Sequence, residues 1–174
     1  MLSMKLGVRA LFCIFTFLWI ASFAIAAQDA PGFVGKHQND VAEKAAIEHV
    51  LSVYTTSLSS GNEAIFASIF LNDRVPFAST AELKLADADS AQLQMNRYAA
   101  FKRVVFESGR HFEQKFYNVH IEQDGALAQV SLDFLTKEVG AHGGTYGWKS
   151  LTLLKVSGQW KIASELYTAY SLSH

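Results

Sequence analysis

The chain has very little cysteine and proline, one and two residues respectively in 174, and no cluster of basic side chains. A lone cysteine, Cys13, cannot close an intrachain disulfide or build a thiolate metal site. Fifteen basic residues balance sixteen acidic ones, a net charge of −1. That balance, without a basic stripe, argues against nucleic acid as a partner. The histidines His37, His49, His111, His120, His142 and His174 lack the paired spacing of a metal site. Ser59, Ser60 and Ser164 have no nucleophile-elbow context. The glycines between Gly140 and Gly147 join two strand-like runs instead of opening a helix, so they form no phosphate cradle. No cofactor is expected.

What is present begins with a targeting pattern. Lys5 and Arg9 precede an apolar run from Ala10 to about Ala24, which ends in Ala24-Ile25-Ala26. Small residues in that spacing are what a signal peptidase accepts, so the expected cut lies between Ala26 and Ala27. The alternative is an uncleaved membrane anchor, because the run approaches the length needed to span. With cleavage the protein is expected to be secreted or periplasmic, with no membrane attachment and no cysteine. Thirteen basic residues then face sixteen acids, about −3, over about 148 residues. Residues 27–39 carry Pro31, Gly32 and Gly35 without periodicity and read as a flexible leader. Residues 40–174 read as one domain.

Asp40 is placed to cap a first helix ending near Ser60, with Ile47, Val50, Leu51, Tyr54 and Leu58 on one stripe. Asn62 caps a short second helix whose Ile65, Phe66, Ile69 and Phe70 are expected inside. Val75 to Ala78 contains Pro76, which lacks a donor, so it is an edge strand or a strand start. A weak strand is expected near Glu82 to Leu85. A third helix, capped by Asp89 or Ser90, turns Met95, Tyr98, Phe101, Lys102 and Val105 inward. Two long hairpins follow, one bending at Asp124-Gly125 and one at Ser157-Gly158.

If those pairs are the turn residues, pairing and face follow from the two-residue period. In the first hairpin Ile121, Val119, Tyr117 and Lys115 share a face with Ala128, Val130, Leu132 and Phe134. In the second, Trp160, Ile162, Ser164 and Leu166 share the inner face with Lys155, Leu153, Leu151 and Lys149. The outer face then receives His120, Asp133 and Glu165, together with an aromatic end made of Phe116, Tyr146, Trp148 and Tyr167. An exposed aromatic cluster marks an interface, here with a second copy of the chain.

Phe116-Tyr117-Asn118-Val119-His120-Ile121, Asp124-Gly125, and Gly158-x-Trp160-Lys161-Ile162-x-Ser164-x-x-Tyr167-Thr168 resemble the nuclear-transport-factor-2-like superfamily. Tyr54 followed by Ser60-Gly61-Asn62 fits the same pattern, and the branches most similar are the lumazine-binding and SnoaL-like ones. The resemblance covers residues 40 to 170. It implies an α+β fold, three N-terminal helices packed on a strongly curved antiparallel sheet in a cone-shaped barrel of cystatin-like type. Relatives include isomerases, dehydratases, cyclases and non-catalytic binding domains, so fold alone assigns no activity.

Catalytic relatives place an aspartate or histidine inside the cone. The register above puts none there. Tyr54 resembles the helix-one tyrosine of the isomerases, yet its base is missing. Ligand-pocket candidates are therefore Tyr54, Tyr98, Phe101, Lys115, Tyr117, Leu151 and Ser164, with a core or rim role the blander alternative for each. Arg110, His111 and Glu113 read as mouth charges. The expected function is binding of a small apolar or aromatic ligand without catalysis. The alternatives are a cofactor-independent isomerase, dehydratase or cyclase, and a structural homodimerisation module.

Overall fold

The computed structural model describes residues 31–80 and 97–172. Two compact units divide at Gly35. Of the first, the described residues 31–35 form a turn. The second contains the expected helices, α1 (Val41–Ser59), α2 (Glu63–Ser68) and α3 (Tyr98–Val105). Its strands are β1 (Phe77–Ser79), β2 (Phe112–Asp124), β3 (Leu127–Glu138), β4 (Gly144–Val156), β5 (Gln159–Tyr167) and β6 (Tyr170–Leu172). The signal segment, the strand near Glu82 to Leu85, the cap at Asp89 or Ser90 and Met95 lie outside the described residues.

Asp40 caps α1, its carboxylate accepting from the N–H groups of Ala42 and Glu43. This satisfies donors that the first helical turn leaves free. Ile47, Val50, Leu51, Tyr54 and Leu58 are buried along the expected stripe. In α2 only Phe66 is buried and Ile65 is half exposed, while Ile69 and Phe70 are buried just beyond the helix end. The leader is not free of the domain at its end. The Gln38 N–H donates to Asp124 and the Asp40 N–H to Gln123, both at 2.9 Å, tying the approach to α1 to the tip of the first hairpin.

The strand order is β1-β5-β4-β3-β2, with β6 pairing along the start of β4. All pairs are antiparallel except the short β1, which runs parallel to β5. Gly147 makes the junction of β4, β5 and β6 possible. A Cβ there would lie 2.0 Å from the Thr168 carbonyl oxygen, inside any allowed contact. Thr168 closes the same junction by donating its N–H to the Trp148 carbonyl and accepting the Trp148 N–H on its hydroxyl, each at 2.9 Å.

The second hairpin bends where the sequence places it, with Ser157 and Gly158 both at positive φ and Val156 opposite Gln159. The first does not. Its turn residues are Gly125 and Ala126, and Asp124 is still paired, opposite Leu127. Asp124 keeps an extended backbone and gives its carboxylate to the Gln38 N–H, leaving Gly125 to take the positive φ. The pairing therefore moves by two residues, which preserves faces near the tip.

Two bulges then exchange inside and outside along the hairpins. On β2, Tyr117 opposes Asp133 but His120 opposes Ser131, so Asn118 and Val119 together face one partner residue. Asn118 takes φ +49, a conformation asparagine tolerates better than most residues. On β5, Ser164 opposes Thr152 while Ile162 opposes Leu153, so Ala163 is the extra residue. Beyond each bulge every side chain changes face. No helix among the described residues is long and apolar enough to cross a membrane.

Candidate functional site

The β5 bulge carries Glu165 inward, opposite Leu151, and places Tyr167 opposite Lys149. Both members of the pair end up in the core: Lys149 is 2% exposed and Glu165 is fully buried. Lys149 Nζ lies 2.7 Å from Glu165 Oε1. Tyr54, reaching down from α1, closes a triangle. Its hydroxyl donates to Glu165 Oε1 at 3.1 Å and accepts from Lys149 Nζ at 2.9 Å.

Rings surround this triangle. Lys149 Nζ sits 4.5 Å from the centroid of Tyr54, 5.0 Å from Phe134, 5.3 Å from Tyr167 and 5.5 Å from Phe116. A cation over aromatic faces is stabilised by the ring quadrupoles, more so where water is absent. The ring cluster continues through Phe66, Phe70, Phe77, Tyr98 and Phe101, with Phe66 in contact with most of the others.

Low polarity reshapes the acid–base properties. Burial raises the Tyr54 hydroxyl well above an ordinary tyrosine, and the Glu165 charge beside it adds to the effect. Burial lowers Lys149, and the attraction of Glu165 only partly opposes this. Tyr98 is pushed up to about 12, again chiefly by burial. Three buried oxygens, Glu165 Oε2, the Tyr98 hydroxyl and Gln114 Oε1, have no hydrogen-bond partner among the described residues, and the first two lie in the ring-lined interior. Phe77 connects these two: it opposes Glu165 across the β1–β5 ladder and packs edge-on against Tyr98 at 5.7 Å.

Of the candidates read from sequence, Tyr54, Tyr98, Phe101 and Leu151 are brought together in this interior. Lys115 and Tyr117 are not. The β2 bulge turns both to the outer face, where Tyr117 is 48% exposed, and brings Phe116 and Gln114 in instead. Ser164 likewise lies on the outer side of β5, its inward place taken by Glu165. Phe116 and Tyr167, expected outside, pack against the core. The inward group that sequence reasoning missed is Glu165, whereas Lys149 occupies the inner face where the register placed it. Asn118 was a signal for the first bulge. Ala163 offered none for the second. His120 and Asp133 do point outward, Asp133 accepting from Asn118 Nδ2 at 2.7 Å. At the mouth Arg110 pairs with Glu138 and lies over Phe112, beside a surface cleft of 260 Å³. No cluster of metal-ligating side chains occurs among the described residues.

Residues 42–168 match the family described as "Putative lumazine-binding". The chain belongs to this family. Solved structures share the cone. A protein titled "Putative Scytalone Dehydratase" from Novosphingobium aromaticivorans is 20% identical, with a TM-score of 0.58 over 76% of this chain and 88% of that one. A nuclear-transport-factor-2-like protein of unknown function from Shewanella baltica is 18% identical, TM-score 0.52, over 78% and 98%. A cystatin-like protein of unknown function from Nostoc punctiforme is 11% identical, TM-score 0.55, over 75% and 93%. At these identities the likeness concerns fold. No curated protein matches the chain.

Proposed function

We propose that this family member is a small-molecule-binding domain whose ligand is apolar or aromatic and inserts its polar edge among the interior rings. The observation that carries this is that two of the buried oxygens without partners among the described residues, Glu165 Oε2 and the Tyr98 hydroxyl, lie inside a wall of aromatic side chains. A buried polar atom left unpaired costs about 1–3 kcal/mol. A ligand that supplies the partner recovers that cost and buries its own apolar surface as well.

A thermal-shift screen against planar aromatic metabolites tests the reading. A binder present at about 100 times its Kd adds about 2.7 kcal/mol, a shift of several degrees. The Tyr98→Phe variant should fold with equal or slightly greater stability, since it removes an unpaired hydroxyl, yet lose part of the ligand-induced shift. A panel that leaves the wild-type Tm unmoved overturns the proposal.

One observation favours a second reading, a cofactor-independent isomerase, dehydratase or cyclase. Glu165 supplies the interior carboxylate that the first register lacked, 3.1 Å from the hydroxyl of Tyr54. A carboxylate and a hydrogen-bond donor at one place are what proton abstraction requires. Compounds from the screen recovered from deuterated buffer without a change in mass would remove this reading.

The outer sheet face supports a homodimer, though not through all the residues first named. Tyr146 and Trp148 are about half exposed and are joined there by Tyr117 and Tyr170 in place of Phe116 and Tyr167. Lys115 and Asp133 border the patch, so a two-fold partner can set opposite charges against each other. Sedimentation of the wild type should give twice the chain mass, and Trp148→Ala should shift it toward monomer. A monomeric wild type at tens of micromolar would refute the pairing.

A further inference from the structure

We propose that Lys149 captures a carbonyl ligand covalently, as an imine, with Glu165 and Tyr54 moving the protons. The inference rests on the binding reading above and names the ligand class, a small aromatic aldehyde or ketone.

The buried ion pair is costly to form. Each charge taken out of water pays several kcal/mol, and only excellent geometry repays it. Here both charges are buried to within 2% and walled by rings. A proton shift across the 2.7 Å contact from Lys149 Nζ to Glu165 Oε1 removes both charges at once. It leaves a neutral amine beside a neutral carboxylic acid. The direction of the burial effect on Lys149 agrees with such a shift. Neutral, desolvated lysine is the form that attacks carbonyl carbon.

The steps balance. The Lys149 proton passes to Glu165, and the Nζ lone pair forms a C–N bond to the carbonyl carbon. A proton moves from nitrogen to the former carbonyl oxygen, for which the Tyr54 hydroxyl, 2.9 Å from Nζ, is the relay. The resulting hydroxyl leaves as water, taking its proton from Glu165, and the C–O bond breaks as C=N forms. The sum is ammonium plus carbonyl giving iminium plus water, with Glu165 returned to carboxylate and no oxidant needed. The four rings within 4.5–5.5 Å of Nζ suit a flat aromatic substituent on the carbonyl carbon.

The test uses the folded protein with benzaldehyde and sodium cyanoborohydride at neutral pH, followed by peptide mapping. Reduction should fix a benzyl group on Lys149 about tenfold faster than on exposed Lys115 or half-buried Lys161. In urea the preference should vanish, since the surroundings that neutralise the amine are gone. Label on the surface lysines with Lys149 bare overturns the proposal. If aromatic compounds without a carbonyl still raise the Tm in that case, only the imine fails. If none does, the binding reading fails with it.

Discussion

Replacing Lys149 with methionine should destabilise the protein by about 3–5 kcal/mol, the typical penalty for leaving one member of a buried ion pair unpaired. The expectation follows from geometry. Glu165 is fully buried, and after the change its remaining partner among the described residues is the Tyr54 hydroxyl at 3.1 Å. The double variant Lys149→Met, Glu165→Leu should recover most of that loss, because replacing both charges by apolar groups is often neutral or stabilising. Urea denaturation of the wild type, the single variant and the double variant measures this directly. A single variant that loses less than about 1 kcal/mol would show that Lys149 and Glu165 do not meet in the core. The same series bears on purpose. If the apolar double variant is more stable than the wild type, stability does not explain the pair's presence, and a ligand or reaction has to.

The second large effect is expected at Phe66. Its ring contacts Tyr54 at 4.7 Å, Phe106 at 5.1 Å, Phe70 at 5.2 Å and Phe101 at 5.6 Å between centroids. Phe66→Ala removes the shared neighbour and should cost about 3–5 kcal/mol, part from lost transfer energy and part from the void. The void would be lined by rings and would stay dry, so it should accept benzene. Benzene should then raise the variant's Tm while leaving the wild type nearly unchanged. A loss below about 1 kcal/mol, or no response to benzene, would contradict the ring packing described. This is also a route to a ligand when none is known, since a widened interior samples apolar compounds that the wild type admits more slowly.

How much of this was legible in the sequence differs between elements. Helix α1 was readable throughout, because a cap, a stripe at spacings of three and four, and a left-handed stop at Gly61 are all local. The second hairpin turn was readable for the same reason: Ser157 and Gly158 both take positive φ, as a tight I′ bend requires. At the first hairpin the local signal misled by one residue, because Asp124 was recruited by Gln38, 86 positions away. The largest departure is Ala163. One inserted residue on β5 turned Glu165 from the surface to the centre of the core. Alternation of apolar and polar residues argues against that placement, so pattern reasoning could not find it.

The amino-acid order by itself determined the first two helices and the two long hairpins, the family, and the small, cysteine-poor composition that leaves this domain to be held by its core. Those properties depend on neighbours within a few positions, and a linear reading reaches them. Tertiary structure alone decided that Glu165 is interior and that it meets the inward-facing Lys149. Lys149 and Glu165 are tolerated there because they meet each other, Tyr54 and four rings at one point. Nothing short of the folded sheet, bulges included, brings those residues within 3 Å.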